Sequence, residues 1–344
     1  APFFQHPIGC GPFMVEEVNM KNYTILAPFD RYYNGVADFK IQLLPSAGDS
    51  DPNVVTRAKS GNLDYGYTKM VADVQALEGT PGITVTPIDV RYTRLFYLNK
   101  FDKKDGSPAP LADVRVRQAL RYAIDMETIC ETLFQGSAVP ANALAPDANL
   151  KGGDLNDYNY NPEKAKELLA EANWDPNTVI KAVYYYTDQA TVDLMTAVQA
   201  YLADVGIKME FELVEGDLAT ILWAAPADQT NGPRAVDWDI CYAANAALSL
   251  HEYYDRYRTG SPTNSHTPED AELNRLIDAT NASADVNAQN EAFKELIKYE
   301  NENLFTMALY YQPIFLITSD KIGDIQKGTP QFCINWDIQN WNVQ

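Results

Sequence analysis

The pair His251-Glu252 is the part of this chain that most resembles a catalytic motif. In the His-Glu-x-x-His motif of zinc proteases, two imidazoles one helical turn apart bind the metal, and the glutamate acts as a base. Here Asp255 takes the place of the second histidine, and neither His6 nor His266 has ligand spacing to His251. The chain also has no Gly-x-Ser-x-Gly nucleophile elbow and no phosphate-binding Gly-x-x-x-x-Gly-Lys-Ser/Thr loop. We therefore predict no catalytic residue, no metal and no cofactor, and keep a hydrolase or metalloenzyme as the alternative.

Four cysteines, Cys10, Cys130, Cys241 and Cys333, are widely separated. Because they follow no Cys-x-x-Cys spacing, they do not indicate a tetrahedral zinc site. In an oxidising compartment they permit a disulfide, with three pairings that the sequence does not distinguish. Our main interpretation is that they are small buried apolar side chains.

The charge of the chain excludes some partners. It carries 47 acidic and 27 basic residues, a net charge of −20, and no Lys/Arg stripe that would displace counterions from nucleic acid. Docking to an anionic membrane by charge is disfavoured, and no run of 18 apolar residues is present. We interpret the acidity as solubility of a secreted protein, with a cationic ligand as the alternative.

The predicted elements change character near residue 100. Before it, strands dominate, at 13–18, 23–27, 38–44, 63–67, 83–87 and 91–99, with helices at 51–59 and 71–77. After it, helices and strands alternate, with helices at 126–134, 162–172, 189–205, 217–223, 269–281 and 287–303 and strands at 179–186, 208–214, 238–243 and 305–318. Such alternation predicts an α/β unit with a partly parallel sheet.

The segment Pro110-Leu-Ala-Asp-Val-Arg-Val-Arg-Gln-Ala-Leu-Arg-Tyr-Ala-Ile-Asp125 is the most informative part of the chain. Asp113 is placed to cap a helix whose apolar residues recur on one face. Asp125 caps a second helix, which Gly136 ends as a left-handed C-cap would. The amino-acid sequence of the segment closely resembles a signature of the family 5 extracellular solute-binding proteins. These are the peptide- and nickel-type receptors that deliver solutes to ABC importers.

Further matches to that family occur in the right order along essentially the whole chain. They are Pro7-Ile-Gly-Cys-Gly-Pro-Phe13, Asp30-Arg-Tyr-Tyr-Asn-Gly35, Ala58-Lys-Ser-Gly-Asn-Leu-Asp64, Thr93-Arg-Leu-Phe-Tyr-Leu-Asn99 and Tyr160-Asn-Pro-Glu-Lys-Ala-Lys-Glu-Leu-Leu-Ala-Glu-Ala172. In the first of these, Cys10 stands where the family usually has threonine.

The resemblance implies an α/β, two-lobe periplasmic-binding-protein-like fold of type II. Lobe I would hold residues 1–95 with 306–344, and lobe II would hold 96–305. Hinge strands near 95–99 and 304–311 would join the lobes. We expect residues 100–303 to form a self-contained α/β lobe of domain size.

The resemblance also implies a ligand held between the lobes, with walls of aromatic and polar side chains. The residues that we assign to this site are Tyr97, Asn99, Tyr242, Asn245, Leu248, His251 and Tyr311. Many of the 21 tyrosines are expected near this site, and the alternative is that half or more of these are core or strand-surface residues: Tyr92, Tyr97, Tyr242, Tyr253, Tyr254, Tyr310 and Tyr311. For His251, a surface or pocket position is favoured over metal ligation.

The expected function is a solute receptor of an ABC importer, with permease subunits as partners, and a monomer is expected. Peptides are the main ligand class; sugars, metal chelates and other small organic solutes are alternatives, as is a signalling or adhesion module that kept the fold. In peptide-binding members, a loop aspartate pairs with the peptide's α-ammonium group. Here the corresponding stretch, Asn245-Ala-Ala-Leu-Ser-Leu250, has no carboxylate, which weakens the peptide interpretation.

The position of the Gly9-x-Gly-Pro-Phe13 turn leads to a further expectation. In the resembled family a long segment precedes this turn and builds much of the first lobe, so we expect the first lobe to be incomplete and to expose an apolar sheet edge or face. Residues 1–15 show no signal peptide. The expected location is extracellular or periplasmic, with a lipid anchor through a missing N-terminus as one possibility.

Overall fold

The computed structural model describes residues 7–45, 51, 53–88, 92–146, 150, 154–246, 250–323 and 337–344. The chain divides into two compact units: unit 1 is Ala1–Val90 with Pro313–Gln344, and unit 2 is Arg91–Gln312. The predicted lobe boundaries, 95/96 and 305/306, fall within or beside strands of unit 2. The assignment of lobes and hinge strands stays a prediction.

Unit 1 contains two small antiparallel sheets. One has the order β1-β2-β3 and the other the order β4-β12-β5. The elements are β1 (Phe13–Asn19), β2 (Tyr23–Pro28), β3 (Ile41–Leu43), α1 (Val54–Lys59), β4 (Tyr65–Thr68), α2 (Val71–Leu77), β5 (Ile83–Ile88), β12 (Ile314–Ser319) and a 3-10 turn at Ile338–Asn340.

The core of unit 1 is small. Its buried cluster consists of Val54, Ala58, Leu77 and Ile317, which lie on α1, α2 and β12. No residue of β1, β2 or β3 is fully buried. The first sheet therefore contributes little apolar burial to the unit.

Unit 2 is built on one six-stranded sheet of order β7-β11-β6-β10-β8-β9. Strands β8, β9 and β10 run parallel, and β6 is antiparallel to both of its neighbours. The elements are β6 (Tyr92–Leu98), α3 (Val114–Ala123), α4 (Met126–Thr132), β7 (Val139–Pro140), α5 (Pro162–Glu171), β8 (Val179–Tyr184), α6 (Gln189–Asp204), β9 (Lys208–Leu213), α7 (Leu218–Trp223), β10 (Ile240–Ala246), α8 (Leu250–Tyr254), a 3-10 turn (Asp255–Tyr257), α9 (Ala271–Ala279), α10 (Val286–Asn303) and β11 (Thr306–Tyr311).

The sheet of unit 2 carries a hydrophobic core on each face, because successive side chains of a strand point to opposite sides. In β6, Phe96 and Leu98 pack in one cluster, with helices α3 to α6. Leu95 and Tyr97 pack in the other cluster, with α7 to α10. We call these the first face and the second face of the sheet. Unit 2 is thus an α/β/α sandwich, as the alternating elements predicted.

Aspartate and asparagine side chains start the helices of unit 2. In seven of its eight described α-helices, such a side chain accepts a hydrogen bond from a backbone N–H of the first turn; these residues are Asp113, Asp125, Asn161, Asp188, Asp217, Asp270 and Asp285. Each cap satisfies a donor that the helix leaves free, and a carboxylate also complements the positive end of the helix dipole. Part of the excess of acidic residues therefore has a structural role.

The prediction of one long strand over 305–318 is wrong. The structure divides it into β11, which belongs to the sheet of unit 2, and β12, which belongs to a sheet of unit 1. Gln312 and Pro313 separate them. Proline has no N–H to donate to a sheet, so the ladder ends there.

Further details of the structure concern the helices and the cysteines. Among the described residues, no helix has both the length and the apolarity that crossing a bilayer requires. Cys10, Cys130 and Cys241 are free thiols, of which Cys130 and Cys241 are buried. Cys333 lies outside the described residues. Gly136 has a φ of +73°, and its N–H donates to the Cys130 carbonyl, but α4 ends earlier than predicted, at Thr132, with Leu133 as its C-cap.

Candidate ligand-binding site

One edge of the unit 2 sheet gathers the ends of several strands. The parallel strands β8, β9 and β10 end there, and so does β11, while β6 begins there. The pairings of Thr93 with Asn245 and with Tyr311 fix this register. We call this the carboxyl edge of the sheet. In open α/β sheets the carboxyl ends of the strands are the usual place for a ligand.

A buried carboxylate lies on the second face beside this edge. Glu300, on α10, accepts hydrogen bonds from the backbone N–H of Leu144 at 2.7 Å and from the hydroxyl of Tyr254 at 2.9 Å. Burial, together with the Glu300 carboxylate, raises the pKa of Tyr254 well above its usual value, so this phenol keeps its proton. Thr93 donates to the carbonyl of the same Leu144 at 2.7 Å. These contacts fix the loop before α5 against β6 and α10.

Two of the predicted site residues belong to this second face of the edge. The side-chain amide of Asn245, at the end of β10, donates to the Tyr253 carbonyl at 3.0 Å. The Tyr311 hydroxyl donates to the Ala143 carbonyl at 2.6 Å, and this side chain is only partly buried. Burial raises the pKa of Tyr311. The structure therefore brings Asn245 and Tyr311 to one edge, on strands that flank β6.

The first face of the carboxyl edge is aromatic and carries a cation. The guanidinium of Arg94 lies 4.4 Å from the ring centre of Tyr186 and 5.9 Å from that of Tyr242. The hydroxyls of Tyr242 and Tyr310 are 2.7 Å apart. Burial raises the pKa of Tyr310 well above its usual value, Tyr242 adds to this, and Arg94 opposes it. Tyr242, a predicted site residue, is thus buried beside a positive charge.

Tyr97 and Asn99 are not brought to this edge. Asn99 follows β6 at its other end, where its amide donates to the Trp238 carbonyl and its oxygen accepts from the Phe101 N–H. It is six positions along the chain from Thr93, a distance of about 20 Å for extended backbone. Tyr97 is fully buried on the second face against His266. The predicted site residues therefore fall into two separate groups.

The other two predicted site residues have different outcomes. His251, on α8, is partly exposed, and its Nδ1 lies 3.0 Å from the hydroxyl of Thr280. Leu248 lies outside the described residues. Among the residues that the structure describes, no group of three or more His, Cys, Asp or Glu is placed to hold a metal ion.

Sequence reasoning missed several residues of the edge. Arg94 is a charged residue inside an otherwise buried strand, which is unusual and could have been noticed. Tyr185 and Tyr186 follow directly after β8, and their hydroxyls are 3.0 Å apart. Together the edge offers phenol faces, phenol hydroxyls, an amide and a guanidinium. Such a set can stack on and hydrogen-bond an organic solute.

Comparison with known proteins identifies relatives. Residues 1–267 match the family described as bacterial extracellular solute-binding proteins, family 5 Middle. The oligopeptide-binding protein AppA of Bacillus subtilis is 26% identical over 272 residues, which are 73% of this chain and 46% of AppA. The heme-binding protein A of Haemophilus influenzae is 29% identical over 172 residues, 50% of this chain and 30% of that protein. The chain thus spans less than half the length of these relatives.

Solved structures share the fold. NikZ from Campylobacter jejuni, in complex with Ni(L-His), superposes with a TM-score of 0.78 at 17% sequence identity. The match covers 99% of this chain and 70% of NikZ. The arrangement of helices and strands described above is therefore shared with NikZ.

Proposed function

The chain belongs to family 5 of the bacterial extracellular solute-binding proteins, and on this premise we propose that it is the substrate-binding receptor of an ABC importer. In this role it binds a solute outside the cytoplasmic membrane and delivers it to permease subunits. It binds without converting the ligand. We further propose that it acts as a monomer, held at the cell surface by a lipid anchor where one is present.

The observation that carries the proposal is the carboxyl edge of unit 2. Strand ends place Asn245, Tyr311 and Tyr186 at the same edge of one sheet. A receptor needs such a mixture of aromatic surface and oriented polar groups, because stacking supplies affinity and hydrogen bonds supply specificity. The supporting contacts of Glu300 and Thr93 hold the surrounding backbone in place before a ligand arrives.

Peptides are the ligand class that we propose first, because AppA is named for oligopeptides. A sugar or another small uncharged organic solute is the second candidate. Two observations favour it: the sequence from Asn245 to Leu250 has no carboxylate, and several tyrosine rings lie at this edge. A metal chelate or porphyrin is a third class, in line with the names of the other relatives.

The first experiment identifies the ligand. The protein is purified without denaturation, and native mass spectrometry detects any small molecule that stays bound. Candidate solutes are then added singly, and a ligand that binds the folded state raises the unfolding temperature, by an amount that grows with the logarithm of its concentration once this exceeds Kd. Turnover of a bound solute, seen as a new mass in the same spectra, would contradict the proposal that the protein is a receptor.

The second experiment locates the site with a matched pair of variants. Asn245 and Asn99 are both buried amides that donate to a backbone carbonyl, but they belong to opposite ends of the sheet. We expect Asn245→Ala to weaken binding of the identified ligand about 10-fold or more, the equivalent of roughly 1.4 kcal/mol. Asn99→Ala should lower stability but leave affinity nearly unchanged. The reverse result would move the site to the other end of the sheet.

A further inference from the structure

A second group of polar atoms is buried away from the carboxyl edge. Tyr97, Trp238, Tyr257 and His266 each have at most 1% of their surface exposed. The Tyr97 and Tyr257 hydroxyls, Trp238 Nε1 and His266 Nε2 have no hydrogen-bond partner among the described residues. We call these four side chains the His266 cluster. In native proteins, buried polar groups without a protein partner are rare and are commonly satisfied by ordered water.

The four side chains are neighbours. The ring centre of His266 lies 5.0 Å from the ring centre of Tyr97, 5.0 Å from that of Tyr257 and 6.3 Å from that of Trp238. The two tyrosine rings are 5.9 Å apart. The rings that carry the unsatisfied atoms thus form one compact group. A single buried water needs two to four polar partners, and the side chains of this group carry four such atoms.

Nearby side chains do not satisfy these atoms. Arg256 lies close enough to Tyr97 to oppose the rise in its pKa that burial causes, and Thr306 does the same for Tyr257. Neither contact has the geometry of a hydrogen bond. The Thr306 hydroxyl donates instead to the Phe96 carbonyl at 3.0 Å. His266 uses its other nitrogen, Nδ1, for a 2.8 Å contact with the hydroxyl of Thr267.

The hydrogen-bond donors and acceptors of the cluster determine which kind of molecule it could bind. Trp238 Nε1 can only donate, whereas the tyrosine hydroxyls and the His266 nitrogen can donate or accept. A partner that both donates and accepts is therefore required. Burial, then Lys100 and Arg256, lower the pKa of His266 well below its usual value, so the imidazole is neutral. The guanidinium of Arg256 nearby disfavours a cation.

Two partly exposed side chains lie beside the cluster. The ring of Trp223 packs edge-on against that of Tyr97, with their centres 4.9 Å apart. The guanidinium of Arg256 lies over the Trp223 ring, 4.5 Å from its centre. Both Trp223 and Arg256 are partly exposed.

We propose that the His266 cluster is an internal water site, in which one or more ordered water molecules bridge the Tyr97, Trp238, Tyr257 and His266 side chains. The water supplies hydrogen bonds to polar atoms in the core on the second face of the unit 2 sheet, which have no direct partner among the described residues. This site is separate from the carboxyl edge and does not depend on the ligand proposed for it.

The test combines diffraction with a pair of hydroxyl deletions. A crystal structure of the 344-residue chain at a resolution that shows ordered water should place a water within hydrogen-bond distance of at least two of the four atoms. Tyr257→Phe removes one partner of that water and should lower the urea midpoint of unfolding. Tyr160→Phe, which deletes a hydroxyl from a side chain that is 42% exposed, is the control and should leave the midpoint unchanged.

A dry core gives the opposite result. Removing a buried hydroxyl that has no partner relieves a desolvation penalty, so Tyr257→Phe would then raise the midpoint or leave it unchanged. That outcome, or the absence of water density at the cluster, would overturn the proposal. An anomalous peak at the cluster in crystals grown from bromide would also overturn it, because it would show that the site takes an anion.

Discussion

At the scale of the residue, His266 couples the stability of unit 2 to pH. Burial, then Lys100 and Arg256, lower its pKa in the folded protein, while in the unfolded chain an imidazole titrates near about 6.5. Below that pH the unfolded chain takes up a proton that the folded chain does not. The contribution of His266 to the free energy of unfolding should therefore be complete above about pH 6.5. It should be lost as the pH decreases below that value.

The measurement is the urea midpoint between about pH 7.5 and about pH 5.5, a range above the ordinary titration of carboxylates. His266→Gln keeps a polar side chain but cannot take up the proton. The variant should be less stable at the upper pH, because ring packing is lost, yet its midpoint should change less with pH than that of the wild type. Parallel pH profiles for the two proteins would show that His266 does not carry this dependence.

Residue positions along a strand were easier to predict than their surroundings. Tyr97, Tyr242 and Tyr311 were singled out correctly as strand residues, but spacing alone does not reveal strand direction. Because β6 runs antiparallel to β10 and β11, Asn99 and Asn245 come to opposite ends of the sheet. Arg94 was missed as a site residue because its stacking on Tyr186 depends on β8, which lies 85 residues later and two strands away.

At the scale of the element, the caps of the helices make a direct prediction. Asp113 accepts a hydrogen bond from the Arg115 N–H at 2.8 Å and pairs with the Arg115 side chain. This interaction lowers the pKa of Asp113. Asp113→Ala should lower the free energy of unfolding by about 1 kcal/mol, because an N–H at the start of α3 loses its acceptor.

The matched variant is Asp113→Asn, which keeps an oxygen acceptor for the N–H and removes the charge. Asparagine is about as good an N-cap as aspartate, so the loss should be clearly smaller than for alanine. Urea denaturation of the three proteins provides the comparison. Equal losses for alanine and asparagine would mean that the ion pair with Arg115, rather than the cap, supports the helix.

The starts of helices were predicted well, because the residues that mark them are neighbours in the sequence. Asp113 and Asp125 mark the starts of α3 and α4, and Pro162 marks the start of α5, within a residue of the observed positions. The break between β11 and β12 was missed, because the apolar run over 305–318 outweighed the single Pro313. Which strands pair could not be read from periodicity, since a strand's partners are set by long-range packing.

At the scale of the whole molecule, the two units differ in how much apolar surface they bury. Both faces of the unit 2 sheet carry a large core. The first sheet of unit 1, in contrast, has no fully buried residue, and almost half of the surface of Met14 and of Leu43 is exposed to solvent. The first sheet of unit 1 therefore has almost no core of its own.

The expected consequence is a difference in local stability. In hydrogen–deuterium exchange, peptides that cover β1 to β3 should exchange much faster than peptides that cover β6 and β10, because a sheet with little burial opens at low free energy. Mass spectrometry of the exchanged protein gives the comparison within one sample. Equal protection of the two regions would show that unit 1 is stabilised by contacts other than its own core.

The pairing of Thr93 with Tyr311 has a consequence for how the molecule can be rebuilt. Both residues lie near the points where the chain passes between units, and paired positions on adjacent strands are only about 5 Å apart at their Cα atoms. Unit 2 is therefore an inserted domain whose two ends meet. A short linker from residue 312 back to residue 92 would close it into a ring, and new termini could be opened in an exposed loop elsewhere. Circular permutation would then yield the α/β/α unit as an independent protein.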